Sequence, residues 1–119
     1  MSQIACIVLP TYNEASNLAL LLPRIFDQQE RIATHELHVL VVDDNSPDGT
    51  AAVVEEYRRR FPRLHLLRGN KQGLGRAYQR GMAHALETLR PALVFEMDAD
   101  LQLDPDLIPR FIERTREGY

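Results

Sequence analysis

Four short apolar runs, each followed at once by a polar, turn-prone segment, constrain this chain more than any other feature. Ile4 to Leu9 and Leu37 to Val42 each read as one continuous buried strand, and Leu64 to Leu67 and Leu93 to Met97 are shorter versions. Runs without polar alternation read as strands buried on both faces. Segments of helical period lie between them. Leu18, Leu21, Leu22, Ile25 and Phe26 follow the i, i+3, i+4, i+7, i+8 stripe of a helix with one apolar side. Val53, Val54, Tyr57 and Phe61 form a second stripe. Leu74, Ala77, Tyr78, Met82, Ala85, Leu86 and Leu89 form a third, ending near Pro91. A fourth starts around Pro105 with Leu107, Ile108, Phe111 and Ile112, and Asp104 is its natural N-cap. Pro23 interrupts the first stripe, which predicts a kink or a restart there. Four strand–helix alternations predict an α/β fold, a parallel sheet with helices on both faces.

Composition narrows the class. The 119 residues, 45% of them hydrophobic, suit one globular domain rather than a disordered tail. No apolar run approaches the roughly 20 residues needed to span a bilayer. The N-terminal run has no basic region before it, so it does not read as a signal peptide. Cys6, the single cysteine, lies inside that run and reads as a buried small hydrophobe. A net charge of −3 excludes an ordinary nucleic-acid module, which carries a basic face. The local exception, Arg58-Arg59-Arg60, suits the negative pole at the end of a helix.

In parallel sheets ligands bind beyond the carboxyl ends of the strands, and every polar cluster here falls at such an end. Asp98-Ala99-Asp100 leaves the fourth strand as an acid-small-acid triplet. In extended chain, residues two apart project to the same side, so both carboxylates and the amide of Gln102 can meet one ligand. Carboxylate pairs of this kind suit a hard divalent ion, Mg²⁺ or Mn²⁺, that shares its remaining positions with phosphates. Asp43-Asp44 ends the second strand, and Asn45-Ser46-Pro47-Asp48-Gly49-Thr50 follows. Turn and capping chemistry explains that segment, with Asp48 or Thr50 as a helix cap. It does not require two consecutive aspartates, and one of them is a candidate acceptor for a nucleobase or ribose. Gly73-Leu74-Gly75, after Lys71, lacks the third glycine of a dinucleotide fingerprint, where Tyr78 stands instead. A flexible start to the third helix, with Lys71 near an anion, fits better.

Together these segments resemble the ordered motifs of the polyprenol-phosphate mannosyltransferases, inverting glycosyltransferases of family 2 with the GT-A fold. The resemblance is carried by Pro10-Thr11-Tyr12-Asn13-Glu14, Val42 to Thr50, Gly73 to Tyr78 and Met97 to Gln102, and covers residues 4 to about 113. The dolichol-phosphate mannose synthases are the most similar branch. Gln102-Leu103, where many eukaryotic members have Ser-His, is similar to prokaryotic members.

The resemblance implies a Rossmann-like nucleotide-binding half. Pro10, Tyr12 and Glu14 would line the nucleotide pocket, and Val42 and Asp44 would complete a guanine site. Asp98, Ala99 and Asp100 would meet ribose and diphosphate, with Asp98, Asp100 and Gln102 around the metal. The implied reaction moves mannose from GDP-mannose to the phosphate of a membrane polyprenol, with inversion, at the cytoplasmic face of a membrane. Whole domains of the family are roughly twice as long. Residues 1–119 therefore read as a truncated N-terminal part that self-associates and is inactive alone. The alternatives are another nucleotide-sugar, or a receiver-like Mg²⁺-binding signalling module. A receiver's acid pair would follow the first strand, where this chain has Pro10 to Glu14.

Overall fold

A computed structural model describes residues 3–69, 73–99 and 104–116. The elements run β1 (Gln3–Thr11), α1 (Ala15–Asp27), a 3₁₀ turn (Gln28–Arg31), β2 (His35–Asp43), α2 (Thr50–Arg58) and β3 (Leu64–Arg68). Then come α3 (Leu74–Thr88), β4 (Leu93–Glu96), a second 3₁₀ turn (Pro105–Leu107) and α4 (Ile108–Arg116). The four strands form one parallel sheet in the order β3-β2-β1-β4. Among the described residues no helix is long and apolar enough to cross a membrane.

Alternation along the central strands builds two cores. Ala5, Ile7, Leu9, Leu37, Val39 and Val41 face α1, α2 and α4, meeting Leu18, Leu21, Leu22, Ile25, Val54, Ile108 and Ile112. Cys6, Val8, Leu40 and Val42 face α3 through Ala77 and Ala85. Both faces are covered, as the unbroken apolar runs require. Burial pushes the Cys6 thiol up to about 12, so it is inert packing. Gly81 is where α3 touches the sheet. A Cβ there would stand 2.5 Å from Val42 Cγ2 and 2.7 Å from Val8 Cγ1. The α3 side is not apolar throughout. Towards the amino end of β2, His38 Nε2 lies 2.7 Å from Glu36 Oε1 and its Nδ1 lies 2.9 Å from His65 Nε2. The two rings are parallel to within 3°. The exposed Leu86, Leu107 and Phe111 depart from their helical stripes. Phe111 still meets Phe95 at 4.7 Å between ring centroids.

Two prolines behave differently from expectation. Pro10 lies inside β1 rather than in the loop after it. Even-numbered residues of β1 bond toward β4: Ile4 accepts from Ala92 N–H at 2.8 Å and Val8 from Met97 N–H at 3.0 Å. Pro10 is the next in that series and has no N–H to give. Its position opposite Val42 is kept, while the β1–β4 ladder stops at Val8 and Glu96. The other is Pro23, where the helix does not restart, because α1 continues through it. The ring deprives the Ala19 carbonyl of its intrahelical donor. The Tyr57 hydroxyl of α2 donates to that carbonyl at 3.2 Å, so the orphaned group is satisfied from outside. Tyr57→Phe should therefore cost about 0.5–1.5 kcal/mol in urea unfolding. An unchanged midpoint would mean that Ala19 needs no donor from α2.

Candidate active site

The carboxyl edge is assembled from the ends of β1, β2, β3 and β4. Thr11 is opposite Asp43, which is opposite Arg68, and Met97 follows the last β4 residue. Asp44, bonded through its N–H to the Thr11 carbonyl at 3.0 Å, continues from the same end. The chain thus gathers Pro10, Asp44 and Asp98 at one edge of the sheet.

The two acids after β2 have separate work. Asp43 is 3% exposed and turned to its own loop. It accepts from the Ser46 hydroxyl at 2.6 Å, the Ser46 N–H at 3.1 Å and the Thr11 hydroxyl at 3.2 Å. That set closes the turn, with Asn45 left-handed at φ 62°. Asp44, 1% exposed, faces the start of α3. Its Oδ2 accepts the Gly73 N–H at 3.0 Å, and its Oδ1 lies 3.8 Å from Arg80 Nη2. Of the Asp43–Asp44 pair, one is turn chemistry and the other bridges two elements. Val42 is fully buried beneath them.

The loop after β2 also caps α1. The first N–H groups of a helix have no intrahelical partner, and the N-cap side chain of Glu14 supplies none here. Ser46 Oγ accepts from Asn13 N–H at 2.9 Å, Thr50 Oγ1 from Glu14 N–H at 3.2 Å and Asp48 Oδ2 from Ala15 N–H at 3.2 Å. Asp48 also takes the Thr50 N–H at 3.0 Å and the Thr50 hydroxyl. Asp48 thus takes the first N–H of α2, whose N-cap position is Gly49, while Thr50 is the first residue of α2 and its hydroxyl serves the start of α1 instead. Tyr12 and Glu14 are half-buried beside this junction, and Asn17 Nδ2 donates to Glu14 Oε2 at 2.7 Å.

On the far side of the edge, Asp98 is exposed and Ala99 is buried. Asp100, Gln102 and Lys71 lie outside the described residues. Among the described residues no three His, Cys, Asp or Glu side chains gather as a metal cluster. Asp98 presents an exposed carboxylate at the strand end, the hard oxygen type that Mg²⁺ and Mn²⁺ accept. Asp104 caps the turn before α4 as expected, taking the Asp106 N–H at 2.9 Å. It also meets Arg24 of α1 at 2.9 Å. The Arg58-Arg59-Arg60 run ends α2, with Arg58 paired to Glu55 at 2.9 Å. A groove of about 740 Å³ beside it, lined by Arg58, Arg59, Pro62 and Arg68 among others, contains none of the expected nucleotide residues. Sequence reasoning missed Ser46 as a cap and Arg80 as a partner. Neither residue type announces a partner that folding brings from another segment.

Residues 6–119 match glycosyl transferase family 2, and the chain belongs to that family. Over 98% of its length it is 39% identical to the polyprenol monophosphomannose synthase of Mycolicibacterium smegmatis. Over 92% it is 44% identical to the undecaprenyl-phosphate mannosyltransferase of Micrococcus luteus. It spans 43% of the length of each of these relatives. A mannosyltransferase from Pyrobaculum calidifontis, solved with GDP-Man and Mn²⁺, is 33% identical with a TM-score of 0.52, covering 84% of this chain and 28% of that one. TarS of S. aureus, solved with UDP, shares the fold at a TM-score of 0.73 and 23% identity, over 96% of this chain and 32% of that one. The fold is the GT-A glycosyltransferase fold expected from the motifs.

The shared cap has a pH signature. Burial raises the Asp48 carboxyl, but bonds from the Thr50 hydroxyl and the Ala15 and Thr50 N–H groups outweigh it and hold it below the ordinary 3.8. A carboxyl lowered on folding contributes stability above its unfolded value and loses it as pH falls through the folded one. Asp48→Ala should cost about 1–2 kcal/mol at pH 7 by urea unfolding. The gap from wild type should narrow below pH 3.8. A constant gap would assign the loss to packing rather than to the carboxylate.

Proposed function

We propose that the protein transfers mannose from GDP-mannose to the phosphate of a membrane polyprenol, inverting the anomeric centre, at the cytoplasmic face of a membrane. The observation that carries this reading is the meeting of Pro10, Asp44 and Asp98 at one carboxyl edge. It is supported by about 40% identity to two enzymes named for polyprenol-phosphate mannosyl transfer. Family membership leaves the signalling-module alternative without support.

In this reading Pro10, Tyr12 and Glu14 line the nucleotide pocket. Val42 underlies Asp44, whose carboxylate accepts from the guanine N1–H and N2–H₂ edge. Asp98, Ala99 and Asp100 meet ribose and diphosphate, and Asp98, Asp100 and Gln102 hold Mg²⁺ or Mn²⁺. The chemistry such an ion supplies is Lewis-acid neutralisation of charge on the leaving diphosphate. The acceptor phosphate is an anion near neutral pH, so the residues here orient the donor and need not provide a strong base.

Isothermal titration with GDP, UDP and GDP-mannose, with and without Mn²⁺, tests the assignment. GDP should bind more tightly with the ion, and Asp100→Ala should remove that dependence while leaving the fold intact. Asp44→Asn should weaken GDP by roughly ten- to a hundredfold and UDP much less, as loss of a charge-assisted pair implies. Undiminished Mn²⁺-linked affinity in the first variant would exclude Asp100 as a ligand. Equal losses in the second would move Asp44 to ribose or structure.

The reading also holds that residues 1–119 self-associate through an outer strand of the sheet. β3 and β4 are the outer strands. At β3, Arg58 Nε donates to the Leu64 carbonyl at 3.3 Å, blunting that edge. At β4, Leu93, Val94 and Phe95 are half-buried, and the nearby Phe111 is 46% exposed. Light scattering at rising concentration should show association, and a strict monomer would refute it.

A further inference from the structure

The surroundings of Asp44 extend beyond the edge itself. A buried carboxylate is costly unless donors or cations compensate it. One oxygen takes the Gly73 N–H at the start of α3, the positive end of that helix. The other faces Arg80, nearly two turns further along α3, at 3.8 Å. The Asp44 side chain is 2% exposed and that of Arg80 30%, but the Arg80 Nη2 that faces the carboxylate is buried with it. The guanidinium lies directly on Gly69. A Cβ at that position would stand 2.2 Å from Arg80 Nη2 and 2.5 Å from Cζ. Gly69 is itself anchored, its N–H donating to the Asp43 carbonyl at 3.0 Å. It is space for the guanidinium, not an unusual backbone angle, that asks for glycine here.

We propose that Arg80 is a positioning residue for Asp44, seated on the Gly69 backbone so that the carboxylate is held in the orientation that distinguishes guanine from uracil. The proposal rests on the reading of Asp44 as the base acceptor. Arg80 touches no reacting atom. It acts by restricting the carboxylate oxygen opposite the one that takes the Gly73 N–H. Selectivity between nucleotides is therefore its readout, whereas a purely structural arginine would alter both affinities together.

The test titrates GDP and UDP, with Mn²⁺ present, into the full chain carrying Arg80→Gln, Arg80→Lys, Gly69→Ala or Asp44→Asn, with thermal unfolding recorded for each. Arg80→Gln should lower the ratio of GDP to UDP affinity roughly tenfold. Arg80→Lys, which keeps the cation, should retain most of it. Gly69→Ala displaces only the flexible end of a side chain, so it should lower the ratio with Arg80 and every charge intact. Gly69→Ala placed on Arg80→Gln should add nothing, because the two changes act through one contact. Should Arg80→Gln fail to fold, Gly69→Ala decides alone. If Asp44→Asn lowers the ratio while Gly69→Ala and Arg80→Gln leave it unchanged, the positioning role is wrong and the reading of Asp44 stands. If Asp44→Asn leaves the ratio unchanged, both fall.

Discussion

The pairing of β1 with β2 carries the rest of the molecule. Nine residues of each run side by side, from Gln3 opposite His35 to Thr11 opposite Asp43, and stop together. Because both strands lie inside the sheet, their side chains are buried in alternation on opposite faces, and no register slip is tolerated. A one-residue slip of β1 against β2 would send Ile7 and Leu9 to the α3 side and bring Val8 to the other. The shared register also aligns the two strand ends. The loops after them leave from the same place and can bond to each other.

That bonding makes the edge a preformed surface. Ser46, Asp48 and Thr50 satisfy the opening N–H groups of α1 from the loop after β2, while Asp43 closes the same loop from within. The two loops are tied to each other by one set of hydrogen bonds, and the polar groups used are turned to that work. The acids left for ligand chemistry are those outside this set. Asp44 is tied to α3 instead, and Asp98 is exposed beyond the point where Pro10 ends the β1–β4 ladder. The missing N–H of Pro10 releases the chain at Met97, so Asp98 departs from the sheet rather than continuing in it.

The apolar runs made the parallel sheet and its two covered faces legible before any coordinates, because a strand buried on both sides has few other sequences open to it. The same holds for Asp104 as a cap and for Cys6 as packing. Pro23 was read from its local cost alone. Local cost does not include Tyr57, which arrives from α2 and bonds the Ala19 carbonyl. Leu86, Leu107 and Phe111 fit their helical stripes yet are exposed, since a stripe records which side of a helix is apolar and not how far the neighbouring layer extends.

At the site, the sequence by itself determined which residue types collect at the carboxyl edge, because strand order along the chain and parallel pairing send every βα loop there. It also identified the family through Pro10 to Glu14, Val42 to Thr50 and Met97 to Gln102. Only the tertiary structure decided how adjacent residues divide their work. Asp43 and Asp44 are chemically identical and consecutive, and no local rule separates them. In a strand, neighbours project to opposite faces, so one meets Ser46 and Thr11 and the other meets Gly73 and Arg80. Thr11 lies 32 residues from Asp43 and Gly73 29 from Asp44, and contact at such separations is a property of the packed chain.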